Sequence, residues 1–267
     1  MATPRALTAV FSSPRALSPV VLLVLLAAWE GAVRALHVPA IVLPAPSAVV
    51  QALWLEIRSG TLWPHFLVTC EEILAGFGIG AIVGIGLGVL IGQSRFLEQV
   101  FYPYLVAAQT IPKVAIAPIL VIWLGYGLSS KIVITATIAF FPALSNTIVG
   151  LQATPREQME MLRACTATQW QIFCMARFPQ ALPYIFAGLD VAAVLSVIGA
   201  IVGEFVGARA GLGYLILQMN FSFDMAGVFS ILLVLCLIGI CLHLAVGLVR
   251  RRVLFWTAGQ ADPLPGL

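Results

Sequence analysis

Charge is what this chain has least of. Only 9% of its 267 residues are Asp, Glu, Lys or Arg, against about 25% in soluble domains. A soluble protein of this length has no way to hide the 61% of residues that are hydrophobic. The net charge of +3 is too small to argue for a nucleic-acid partner. Cysteine is sparse: Cys70, Cys165, Cys174, Cys236 and Cys241 lack metal-ligand spacing, and their odd number argues against a disulfide framework. They read as buried apolar thiols. His37, His65 and His243 are scattered, so no metal cluster is expected. No glycine loop is completed by Lys-Ser or Lys-Thr, which leaves the chain without a nucleotide-binding motif. Nor do the apolar runs carry a nucleophile–base set, as a membrane-embedded enzyme would need.

What is present is apolar length. The chain reads as an all-α polytopic membrane protein with six transmembrane helices, at about 18–36, 67–92, 99–124, 131–150, 184–207 and 226–249. Residues 1–17 read as a tail, 18–255 as the membrane domain, 151–183 as its polar loop and 256–267 as a second tail. The first run, interrupted by Glu30 and Arg34, suits a signal peptide as well as a span, and is taken as a retained span. Residues 37–66 suit an interfacial helix opening at Pro44, Pro46 and Ser47, with Trp54 and Trp63 at the membrane surface.

Two runs carry further information. Gly76, Gly80, Gly84, Gly88 and Gly92 fall at every fourth position, which lines one helix face with glycine and lets another backbone come very close. Residues 100–124 hold Pro103, Pro112 and Pro118, so a bent or interrupted helix is expected there. Lys113 in that run is costly at membrane depth unless it faces a polar interior or a partner. It is either a pathway residue or a structural lysine paired with Asp190 or Glu204. Polarity at depth makes Gln109, Thr110, Lys113, Asn146 and Glu204 the pathway candidates. Asp190 and Glu204 lie fourteen residues apart, roughly 21 Å along a helix, too far to act as a pair.

Orientation follows from the arginines. With both termini in the cytoplasm, the inside loops and tails hold Arg5, Arg15, Arg95, Arg156, Arg163, Arg177 and Arg250 to Arg252, against Arg34, Arg58, Lys131 and Arg209 outside. The polar loop is then cytoplasmic. Within it, Thr154, Pro155 and Glu157 form a helix-start signal, and Met159, Leu162 and Cys165 make an apolar stripe. Thr168 with Gln171 signals a second start, and Pro179 and Pro183 bracket the entry to the next apolar run. A short helix, a turn and a second short helix are expected.

This loop resembles the cytoplasmic signature of import-type ABC transporter permeases. That signature is a Glu followed by two small residues, a Gly six positions after the Glu, and Leu-Pro thirteen beyond. Glu160, Thr166 and Pro179 stand at those offsets, although Met161 and Leu162 replace the small residues and Phe178 the Leu. LPAPSAVVQALW (43–54), QTIPKVAIAPILVIWLGYGLSSKI (109–132) and IVGEFVGARAGLGYLI (201–216) extend the likeness to the permeases of nitrate, sulfonate and taurine importers. The resemblance implies a five-helix ABC importer permease core within the six helices, in the bacterial inner membrane. It implies a second copy of the chain, a dimer of ABC ATPase subunits and a periplasmic or lipoprotein substrate-binding protein. No cofactor is expected on this chain, since ATP and Mg would sit on the ATPase. It further implies coupling through Glu157, Glu160, Arg163, Ala164, Thr166, Ala167, Trp170, Phe173 and Pro179. The solute would be small and anionic, with a pyrimidine or aromatic compound as the alternative. An ion-coupled secondary transporter is a more distant alternative, and no inverted repeat supports it.

Overall fold

The computed structural model describes residues 14–257. Arg5 and most of both expected tails lie outside the described residues. The described chain is helical throughout: α1 Pro14–Ala35, α2 Pro46–Ser59, α3 Leu62–Gly92, α4 Arg95–Thr110, α5 Lys113–Leu124, α6 Leu128–Gln152, α7 Arg156–Ala164, α8 Gln169–Ile172, α9 Phe178–Gly207, α10 Leu212–Phe221 and α11 Met225–Val253. A π-helical turn, Phe173–Arg177, joins α8 to α9.

Helix α6 sits at the centre. The glycine face of α3 lies along it, with Gly80 against Ala136 and Ala139, Gly84 against Phe140 and Ala143, and Gly88 against Thr147. Rising numbers meet rising numbers, so the two helices run parallel. A Cβ on Gly84 would stand 2.7 Å from the carbonyl oxygen of Phe140, a distance only glycine permits. On the other side α9 runs antiparallel, placing Gly188 on Asn146, Gly199 on Thr135 and Gly203 on Lys131. Small residues thus line the seams, with Ile73, Ile134 and Leu144 buried among them, while other large apolar residues such as Ile82, Ile122 and Leu248 are 73%, 76% and 62% exposed. Helices whose surroundings are hydrocarbon gain nothing by burying such side chains, and backbone proximity drives their packing instead.

Among the described residues, four stretches are long and apolar enough to cross a membrane, namely α3, α6, α11 and the run Gln169–Gly207, and the bent pair α4–α5 adds a fifth if it is counted as one span. The expected interruption of residues 100–124 is present as an 89° bend between α4 and α5. Pro112 offers no N–H and forces Ile111 into extended backbone (φ −67°, ψ 124°). Pro103 and Pro118 stay inside their helices. Helix α3 starts at Leu62, five residues before the expected span, so His65 lies within it. Helix α1 reaches α2 through Glu30, whose carboxylate accepts from Ser47 N (3.0 Å), Ser47 Oγ (2.8 Å) and Arg34 Nε (2.7 Å).

The polar loop departs from expectation in two respects. Its second helix does not end before the next run: α8 passes through the π-helical turn into α9 without a break. Pro179 and Pro183 therefore lie within one continuous helical run rather than marking a fresh start. The wider turn takes up the hydrogen-bond mismatch that proline imposes on the preceding residues. Thr154 is not the cap of α7 either, since that position is taken by Pro155, with no side-chain cap bond.

Candidate coupling site and pathway

Helix α7 and its turn form a hook at the arginine-rich end. The turn closes as a Schellman motif: Ala167 N donates to Leu162 O (3.0 Å) and Thr166 N to Arg163 O (2.9 Å). Thr166 takes the left-handed position of that motif, at φ +59°. A glycine is at ease there, and a β-branched residue is strained, so the threonine closes the same turn at a cost. The chain re-enters helix through a complete capping box, in which Gln171 N donates to Thr168 Oγ1 (3.3 Å) and Thr168 N to Gln171 Oε1 (2.8 Å).

The side chains of Glu157, Glu160, Arg163, Ala164 and Thr166 are exposed, and Ala167 is half-buried. Trp170, 70% exposed, stacks on Phe173 at 5.5 Å, and Phe173 leans on Phe178 at 5.6 Å. Pro179 is half-buried beside them. An aromatic ladder therefore runs from the hook into the base of α9.

The pathway candidates divide. Gln109 Nε2 donates to Ser145 Oγ (2.9 Å), and Lys113 Nζ lies 4.7 Å from the Phe141 ring and 3.4 Å from Gln109 O. These two residues share one face, where the α4–α5 bend passes α6. Thr110 turns back on its own helix, donating to Ala107 O (2.7 Å). Asn146 donates to Pro142 O (2.9 Å) and faces Gly188 of α9, inside a helix contact. Glu204 is 1% exposed and lies within the packing, away from the other candidates. Lys113 meets neither expected partner: Asp190 forms an ion pair with Arg250 (3.3 Å), and Glu204 is held elsewhere.

Around Glu204 the structure assembles a cluster that the sequence reading missed. Thr69 Oγ1 donates to Glu204 Oε1 (2.6 Å) and accepts from Leu212 N (2.7 Å). Gly213 N donates to Glu204 Oε2, and Gly211 N to His65 Nδ1 (3.0 Å). The glycine-rich connection before α10 is thereby pinned to α3 and α9. Lys131, expected in an outer loop, is 2% exposed and donates to the carbonyls of Tyr126 (2.6 Å), Gly127 (3.0 Å) and Gly207 (3.4 Å). The i, i+4 spacing of His65 and Thr69 was the available signal, hidden because the span was expected to begin at 67.

The described helices thus form a glycine-seamed, multi-span apolar bundle with a hook of two short helices at one end. Residues 80–255 match the model of the binding-protein-dependent transport system inner membrane component, and the chain belongs to that family. It is 40% identical to a riboflavin transport system permease protein of Chloroflexus aurantiacus, over 90% of each chain. It is 36% identical to a formylaminopyrimidine transport permease protein of Halalkalibacterium halodurans, over 93% of this chain and 99% of that one. A putative aliphatic sulfonates transport permease protein of Bacillus subtilis is 30% identical over 87% and 84%. Among solved structures, the MetNI methionine ABC transporter in an inward-facing conformation shares the fold at a TM-score of 0.63, with 22% identity, covering 75% of this chain and 96% of that one. The chain is thus the membrane permease of an ATP-driven importer. ATP hydrolysis belongs to a separate ATPase partner, and a substrate-binding protein completes the system.

Proposed function

We propose that two copies of this chain form the pathway of the importer, and that each couples to its ATPase through the α7–α8 hook. The observation that carries the coupling role is the unbroken run from α8 through the π-helical turn into α9. A push on the exposed face of α7, or on Trp170, moves α9 as a lever rather than being absorbed by a loop. The arginine distribution supports a cytoplasmic position for the hook and for both termini. Gln109 and Lys113, beside the bend between α4 and α5, are the residues proposed to border the pathway. Asn146 and Glu204 hold helices together instead.

Lys113 and the sulfonate permease relative support a small anionic solute. A pyrimidine or other nitrogen heterocycle is the second reading, favoured by the higher identities of the formylaminopyrimidine and riboflavin permeases. Ligand screening on the cognate binding protein separates the two. Coupling is tested by measuring ATP hydrolysis in liposomes holding the permease and its ATPase, with and without loaded binding protein. Stimulation lost in Glu160→Ala, with the complex intact, supports the coupling role. Full stimulation in that variant and in Trp170→Ala would remove it.

A further inference from the structure

Behind the hook lies a pocket of about 730 Å³, between α7, the α3–α4 turn and the start of the α8–α9 lever. Four arginines line it, Arg95, Arg156, Arg163 and Arg177, against one carboxylate, Glu98. Among the described residues none of the four guanidiniums takes part in an ion pair. Arg177 donates one hydrogen bond, to Gln93 O (3.1 Å), and feels the charges of Arg163 and Arg95. Like charges gathered in one concavity repel unless an anion joins them. Arg177 is half-buried in the pocket wall, where partial desolvation makes an uncompensated charge costlier.

We propose that this pocket binds a phosphate group. Several guanidinium forks suit the three oxygens of a phosphate monoester or the two free oxygens of a diester. The group could belong to a soluble phosphorylated compound or to the headgroup of an anionic phospholipid. Because α7 is one wall, an occupied pocket would tie the hook to the α3–α4 turn and restrain the lever. That consequence rests on the coupling role proposed above, whereas binding itself does not.

The test uses the full chain without its ATPase, so its outcome is independent of coupling. The chain is reconstituted in phosphatidylcholine nanodiscs and titrated with inorganic pyrophosphate by calorimetry, with chloride at matched ionic strength as control. In a second arm, nanodiscs containing phosphatidylglycerol are analysed by native mass spectrometry for retained lipid. Saturable pyrophosphate binding, weakened about tenfold or more in Arg95→Gln/Arg156→Gln, assigns the site to a soluble phosphate. Phosphatidylglycerol retention lost in the same variant, without pyrophosphate binding, assigns it to a headgroup. Arg95→Lys/Arg156→Lys guards against misfolding of the glutamine variant: it keeps both charges but loses the forks, and should bind more weakly than wild type and more tightly than the glutamine variant. Wild type and variants behaving alike in both arms, or binding no stronger than chloride, would overturn the proposal.

Discussion

Thr166 shows how much one backbone angle decides. Its offset from Glu160 was readable, but that the offset names the left-handed residue of a Schellman turn was not, because φ is set by hydrogen bonds to Leu162 and Arg163. Replacing it with glycine relieves a left-handed β-branched residue, a gain partly offset by the looser unfolded chain. Thr166→Gly should stabilise the protein by roughly 0.5–1 kcal/mol in denaturant unfolding; a loss of stability would contradict the strain. Glu204 makes the opposite case. Glu204→Ala would leave the Thr69 hydroxyl proton and the Gly213 amide without acceptors in the interior, a loss of about 3 kcal/mol. Glu204→Gln, which keeps an acceptor, should cost less. Equal melting points for the two variants would contradict the network. Nothing in the sequence announced it, since its partners lie 135 and nine residues away.

At the scale of the helix, the glycine spacing of α3 was legible because a four-residue repeat already states that a backbone approaches; which backbone was not. The structure names α6. Gly84→Ala forces a Cβ against the Phe140 carbonyl and should cost about 2 kcal/mol. Gly86, with nothing within 4 Å of its Cβ position, should accept alanine without loss. Thermal unfolding of the pair in detergent tests the seam. The interruption of residues 100–124 was equally legible, but not that Pro112, rather than Pro103 or Pro118, makes it. The continuity of α8 with α9 was not, because prolines at 179 and 183 ordinarily mark a helix start and the π-helical turn overrides that rule.

Helix α2 offers a pH-dependent contact. Burial pushes the Glu56 carboxyl above its ordinary 4.5; the hydrogen bond from Ser230 opposes this, and the charge of Asp224 adds to it. A raised folded value means that the stabilisation is complete below 4.5 and is lost as pH rises through the folded value. Melting temperature should therefore fall with rising pH in wild type relative to Glu56→Gln, which retains a partner for Ser230. Parallel profiles would show that Glu56 does not titrate across this contact.

For the whole molecule, α3, α6 and α9 interlock backbone to backbone and leave the hook as the handle of one body. Trp170→Ala should therefore cut binding-protein-stimulated ATP hydrolysis by about tenfold, as removal of a central aromatic anchor does, with little change in melting temperature. A large thermal shift instead would make Trp170 a folding residue. The membrane class was legible from composition, and the two short helices of the polar loop from their start signals; the interior polar cluster needed the fold. The bend at Ile111 has one more consequence. The last carbonyls of α4 lose their helical donors there, and among the described residues Gln109 O has found Lys113. Hydrocarbon cannot solvate such groups, so this notch must be wet or covered by protein. Water should reach the amides around Val114 sooner than those at the middle of α6, and hydrogen–deuterium exchange would show it as a fast spot at the depth where a bilayer is otherwise driest.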